Sequence, residues 1–261
     1  MRWRKVLIVV LLGVFLYSSY EIFTYYYEAF KSKSTYDEVR KLYQEQLQFE
    51  GQQESEGEKP AQPVSTPEQE NSPGKKEAMA RYTSLLEMNE DVVGWISVPG
   101  TVIDYPVVQA RDNDYYLRRD IHGKSARAGT IFMDYRSDKL GKGKNTILYG
   151  HHMRNGSMFK DLVKYKEQEF FQENGLIRFD TLFDEMKWEV FSVYITEADF
   201  PYIQTTFSSD KEYLDFLDRI KDRSIFDKDI DLSEEDQILT LSTCTYEYDD
   251  ARFVVHARRV P

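Results

Sequence analysis

The chain holds one cysteine, Cys244, and it closes an apolar, β-branched run, "QILTLSTC". Eight residues later Arg252 opens a second run of the same kind, "RFVVHARRV", and the connection between them, Thr245 to Ala251, is too polar to be core. Two such runs joined by a short polar loop pair as a hairpin, which puts Cys244 and Arg252 on neighbouring strands at the loop mouth. A thiol needs a cation or a histidine beside it to hold useful thiolate at neutral pH. Without one, a lone cysteine is simply inert core. Histidines stand upstream in "NTILYGHHMRNGSMF", where a short strand ends at Gly150 and His151 and His152 follow on an exposed turn. The other two histidines suit the part less well, since His256 is embedded in the strand "FVVHARR" and His122 sits in the loop "RDIHGKS". Cysteine, histidine and arginine together supply nucleophile, proton donor and oxyanion partner for acyl transfer.

The bulk of the chain narrows the setting. A net charge of −11, with acids spread along all 261 residues, argues against a nucleic-acid surface, which needs clustered Lys and Arg. One cysteine makes no internal disulfide, and no second cysteine or histidine pair at ligand spacing points to structural zinc. The N-terminus, "MRWRKVLIVVLLGVFLYSSYEIFTYYYEAF", sets Arg2, Arg4 and Lys5 before an apolar run and ends in aromatic residues suited to a membrane interface. No small-x-small cleavage site follows that run. A signal peptide is the alternative, because the strict apolar core is short, and a buried core helix would not explain the basic flank; residues 1–30 are expected to be an uncleaved transmembrane anchor, basic end in the cytoplasm and the rest outside the cell.

The elements that must position the three side chains follow. Residues 31–50 continue as a stalk helix, with Tyr36, Val39, Leu42, Tyr43 and Leu47 at spacings of three to five. Residues 51–76 are polar and proline-containing, with almost no apolar side chains, and are expected to be a flexible extracellular tether. A folded domain over 77–261 opens with a short helix in "EAMARYTSLLEMN". Eight short β-rich runs come next: 92–98, 101–109, 130–134, 146–149, 176–180, 187–195, 237–243 and 252–260. They predict a closed barrel or a sandwich. One clear helix interrupts them over 208–224, where Tyr213, Phe216, Leu217 and Ile220 share a face and Ser209 caps the start.

"TLSTC" with Arg252 eight residues on, the upstream "YGHH", and the segment "GWISVPGTVIDYPVVQARDNDYYLRRDIHGKSARAGTIFMDYR" together resemble a class B sortase from about Met79 to Val260. Sortases are membrane-anchored cysteine transpeptidases of Gram-positive bacteria. The resemblance implies a mainly β fold, an eight-stranded sortase-type β-barrel with N-terminal helices and one long helix inserted before the last two strands. It makes Cys244 the nucleophile, His151 the acid and base with His152 in reserve, and Arg252, rather than Arg258 or Arg259, the arginine. Ser242 and Tyr202 would line the substrate groove or serve as packing. Thr245 to Ala251 is shorter than the matching loop of some class B sortases, which leaves its contacts open. The implied reaction cleaves a C-terminal sorting signal, similar to NPxTx or LPxTG, on a secreted protein through a thioester. The acyl group then passes to a peptidoglycan precursor amine, or to a pilin lysine, and no metal or organic cofactor takes part. Hydrolysis of the thioester, as in a surface cysteine protease, and a tethered binding module with an inert cysteine are the competing readings.

Overall fold

The computed structural model describes residues 2–56, 78–244 and 250–260. Its centre is a closed barrel of eight strands: β1 (Val92–Ser97), β2 (Asp104–Val108), β3 (Ile131–Met133), β4 (Asn145–Tyr149), β5 (Leu176–Thr181), β6 (Lys187–Thr196), β7 (Ile238–Cys244) and β8 (Arg252–Val260). Around the barrel they run β1-β2-β3-β4-β7-β8-β6-β5, and β5 closes back on β1. The pairs β2–β3 and β4–β7 are parallel and the remaining six antiparallel. Closure leaves no unpaired sheet edge.

Side chains alternate across each strand, so every strand feeds two layers. Ile96, Val107, Ile131, Leu148, Phe179, Val193, Leu241 and Val255 belong to the main buried cluster. Their neighbours in sequence point outward, and of these Trp95, Val108, Tyr194 and Val254 pack in two further buried clusters. Helix α4 (Asp210–Asp222) packs Tyr213, Phe216, Leu217 and Ile220 on Phe191, Tyr194, Ile238 and Val254. It starts where the sequence predicts, because the Ser209 side chain accepts from the Glu212 N–H at 3.2 Å.

The opposite flank is covered by helix α1 (Arg2–Glu56), one continuous helix of 55 residues. The apolar segment is fully exposed on it, and the stretch read as a stalk also packs on the barrel. Tyr36, Val39 and Tyr43 are buried. The Tyr36 hydroxyl donates to the Gly129 carbonyl at 2.8 Å, Tyr43 stacks on Trp95 at 4.0 Å between ring centroids, and Glu50 pairs with Arg81 at 2.7 Å. The 3-10 helix Ala80–Tyr82 and helix α2 (Thr83–Met88) complete this layer with Tyr82 and Leu85. Of the expected tether, residues 51–56 continue α1 and the remainder lies outside the described residues.

Two local departures from the sequence reading have clear causes. The run 101–109 becomes strand only from Asp104, because the Thr101 hydroxyl donates to Val98 O (2.7 Å) and accepts from Ile103 N (3.0 Å), closing a turn after Gly100, whose φ is +72°. Between β4 and β5 the chain forms a 3-10 helix, Phe159–Lys166, and helix α3 (Gln168–Glu173). Phe159, Leu162 and Tyr165 join the barrel core from there.

Candidate active site

Strands β4, β7 and β8 are adjacent, and their ends meet at one rim of the barrel. In the β7–β8 ladder Cys244 pairs with Arg252, Ser242 with Val254 and Thr240 with His256. In the parallel β4–β7 ladder Tyr149 lies beside Ser242, and Gly150 N–H still donates to Ser242 O at 3.2 Å. Carrying that register one alternation further matches His151 with Cys244. Histidine, cysteine and arginine thus come from three neighbouring strands, with the thiol in the middle and exposed.

Gly150 is required for the turn out of β4. A Cβ there would sit 2.4 Å from Ile131 Cδ1 and 2.7 Å from Phe159 Cγ, both in the core. The chain then returns on itself, with Phe159 N–H donating to His151 O at 3.0 Å and His152 bridging Met158. The two histidines are thereby fixed in different directions. His151 Nε2 lies 2.7 Å from the Leu117 carbonyl, which only accepts, so Nε2 carries a hydrogen. His152 Nδ1 lies 3.0 Å from the Cys244 carbonyl oxygen. Burial lowers the His152 pKa, the bond to Cys244 O opposes it, and Lys160 and Lys166 add to the lowering. Those two lysines therefore give the His152 side of this rim a positive potential.

Arg252 is half-buried, and its Nη1 donates to Asp250 O (2.9 Å) and Ala251 O (3.2 Å). Its Nε and Nη2 make no bond to the described residues. Residues 245–249 of the connecting loop lie outside the described residues.

Ser242 and Tyr202 are both buried, and their hydroxyls are hydrogen-bonded at 2.9 Å. Burial raises the Tyr202 pKa, the Ser242 bond and the Arg252 charge oppose it, and Cys244 adds to it. Tyr202 thus lies within electrostatic reach of both rim residues, forming a floor with Ser242 and Tyr149. Tyr149 in turn donates to Asp134 at 3.0 Å. Asp134 is fully buried, which raises its pKa, yet the Arg136 guanidinium at 2.7 Å and further hydrogen bonds hold it below the usual carboxylate range. Arg136 also donates to Ile203 O at 3.3 Å, tying the floor to the segment between β6 and α4.

His256 is wholly buried and away from this chemistry. Its Nδ1 is 2.9 Å from Thr240 Oγ1 and its Nε2 is 2.7 Å from the Tyr194 hydroxyl. Thr240 spends its own hydrogen on Asn145 Oδ1 at 2.7 Å, so Nδ1 carries the ring hydrogen and Nε2 accepts from Tyr194. Burial pushes its pKa down to about 3. His122 is exposed at a turn whose Asp120 carboxylate accepts its backbone N–H at 3.0 Å. Sequence reasoning missed the Leu117 carbonyl, since a main-chain acceptor leaves no mark in residue type. Lys160 and Lys166 were legible only as part of a helix that the strand-like reading passed over.

This chain is closely similar to known proteins. The sortase domain family matches residues 96–260. Sortase B of Listeria monocytogenes is 34% identical over 258 residues, covering 98% of this chain and 96% of that protein. A Bacillus anthracis protein described as similar to sortase B superposes with a TM-score of 0.73 at 42% identity, covering 88% of this chain and 96% of that one. The Staphylococcus aureus sortase B–substrate complex gives a TM-score of 0.74 at 32% identity, over 89% of this chain and 98% of that one. With the barrel order, the rim constellation and these likenesses in agreement, the chain belongs to the sortase family and, within it, to the class B sortases.

Proposed function

We propose that this sortase uses Cys244 to cleave a C-terminal sorting signal of the NPxTx or LPxTG kind on secreted proteins and passes the acyl group to a peptidoglycan amine. The observation that carries the reading is the convergence of an exposed thiol, an oriented imidazole and a guanidinium on three adjacent strand ends. A substrate complex is known for the similar Staphylococcus aureus enzyme, which supports a peptide substrate here.

The Cys244 thiolate attacks the carbonyl carbon after the signal's threonine. Arg252 stabilises the oxygen as it becomes negative. The C–N bond breaks, the His151 imidazolium donates its Nδ1 proton to the departing amine, and a thioester remains. The acceptor amine then attacks the thioester, His151 takes its proton, and the C–S bond breaks to return the thiolate. Tyr202 and Ser242 hold the floor beneath the peptide. Residues 1–30 anchor the enzyme in the cell membrane with residues 77–261 outside, in keeping with an N-terminal apolar helix whose best 18-residue window has a mean hydropathy of 2.1 and no burial.

The test is product analysis with a fluorogenic signal peptide, with and without an amine acceptor. Amide product that grows with acceptor concentration supports transfer. A free carboxylate product unaffected by any amine would make the protein a hydrolase.

A further inference from the structure

The membrane-facing end of the domain carries a basic surface that the reaction does not use. On α1 the apolar and aromatic run ends near residues 25–27, about 20 residues after it begins, which is the length of one bilayer crossing. Just beyond, the helix grips two loops of the barrel. Tyr36 bonds Gly129 O at 2.8 Å, and eight residues nearer the membrane Glu28 pairs with Arg127 at 3.5 Å. At 1.5 Å per residue that is a descent of about 12 Å. The chain read backward from Gly129 to Arg127 therefore heads toward the bilayer and leads into the tight turn at Asp120–Lys124, where Asp120 N donates to Lys124 O at 2.9 Å. Met153 and Asn155, from the turn directly after the histidine pair, line a cavity with α1 residues 24–35 and with Ser125 and Arg127.

Charge sets this end apart in a chain of net −11. Arg119, Lys124 and Arg127 are exposed on the loop between β2 and β3, and Lys31 and Lys33 are exposed on α1 beside them. Two acids lie among these cations: Asp120 is buried and already accepts the His122 and Lys124 backbone N–H groups, and Glu28 pairs with Arg127, which leaves Arg119, Lys124, Lys31 and Lys33 as the surplus charge. Two observations thus coincide: a cationic face, and a position fixed by a continuous helix at the point where that helix leaves the apolar stretch.

We propose that this face docks on anionic phospholipid headgroups and so holds the Cys244 rim against the membrane plane. The inference rests on reading α1 as a membrane anchor. Continuity with that helix favours lipid over a protein partner, because any ligand here shares its space with the headgroup layer. Each basic side chain at an anionic surface favours the docked form by about five-fold, and salt weakens the effect.

The full chain is reconstituted in nanodiscs of phosphatidylcholine alone and of phosphatidylcholine mixed with phosphatidylglycerol, and amide hydrogen exchange is followed. Residues 118–127 and 153–157 should exchange more slowly in the anionic discs, while β7 and β8 stay unchanged. High salt should remove the slowing, and the Lys31→Glu/Lys124→Glu double variant should reduce it by about five-fold or more per charge. Equal exchange in both discs, with the protein firmly inserted, overturns the docking and leaves the anchor intact. Slowing that survives in the double variant also overturns it. Protein that does not stay with either disc overturns the anchor reading and the docking with it.

Discussion

Cys244 and Arg252 are the last cross-strand pair of the β7–β8 ladder, side by side where the two strands part. Their side chains share the outward face with Ser242 and Val254, so strand geometry sets Arg252 beside the thiol while its Nη1 bonds the Asp250 and Ala251 carbonyls.

If positive charge were the whole contribution, Arg252→Lys would keep most of the activity. A planar fork directed at a developing oxyanion is not reproduced by an ammonium. Arg252→Lys and Arg252→Ala should therefore both lose on the order of 100-fold in single-turnover acylation. Arg258→Lys and Arg259→Lys, at the far end of β8, should remain near wild type. Near-normal acylation in Arg252→Lys would reduce the residue to a charge effect.

The two histidines should separate kinetically. In the proposed mechanism His151 transfers a proton at Nδ1 while Leu117 O orients Nε2, so His151→Ala should lower the rate by about 100-fold or more. His152 bonds the Cys244 carbonyl, and losing one such hydrogen bond is worth about 1 kcal/mol, or about five-fold. Steady-state rates of the two alanine variants decide the order, and the reverse order would transfer the role to His152.

Truncation should show that the helix beyond the membrane belongs to the fold. Removing residues 1–30 leaves Tyr36, Val39 and Tyr43 in place, and the soluble product should unfold cooperatively. Removing residues 1–76 uncovers the outer face of β1 and β2 and gives up the burial of those three side chains, on the order of 5 kcal/mol. Urea midpoints of the two truncated proteins compare them directly. Equal midpoints would mean that α1 contributes nothing to the domain.

Acid should find His256. The unfolded chain takes up a proton on this imidazole near pH 6.5, whereas the buried, doubly hydrogen-bonded ring does so only at about 3. Stability is thus fully present above 6.5 and is lost as pH falls toward 3. Between pH 7 and pH 4.5 the loss from this group is about 2 to 3 kcal/mol. His256→Gln should be less stable at pH 7 yet lose less on acidification, by that difference, in denaturation at the two pH values. An unchanged pH dependence would contradict the neutral buried ring.

Much of this was legible in the sequence because period-two patterning and turn residues mark strands well: all eight appear, and α4 begins at its predicted cap. The barrel order was not, since the parallel neighbours β4 and β7 are separated by more than 85 residues and pair through main-chain bonds that carry no residue signature. The Tyr36, Val39, Tyr43 stripe was visible as helical spacing, but nothing local says whether such a stripe faces a barrel or another surface. At the site, Cys244, His151 and Arg252 stood out by type and position. The Leu117 carbonyl that orients His151, and the Tyr202–Ser242 hydrogen bond, depend on tertiary contacts.

The most direct measurement is intact-protein mass spectrometry of the enzyme mixed with a signal peptide and no acceptor amine. An adduct of the acyl fragment on Cys244, released by hydroxylamine as a thioester must be, is the predicted result, and Cys244→Ala should neither form it nor turn over while keeping its thermal midpoint. Turnover retained in Cys244→Ala, or an adduct on another residue that hydroxylamine does not release, would contradict the assignment of Cys244 as the nucleophile.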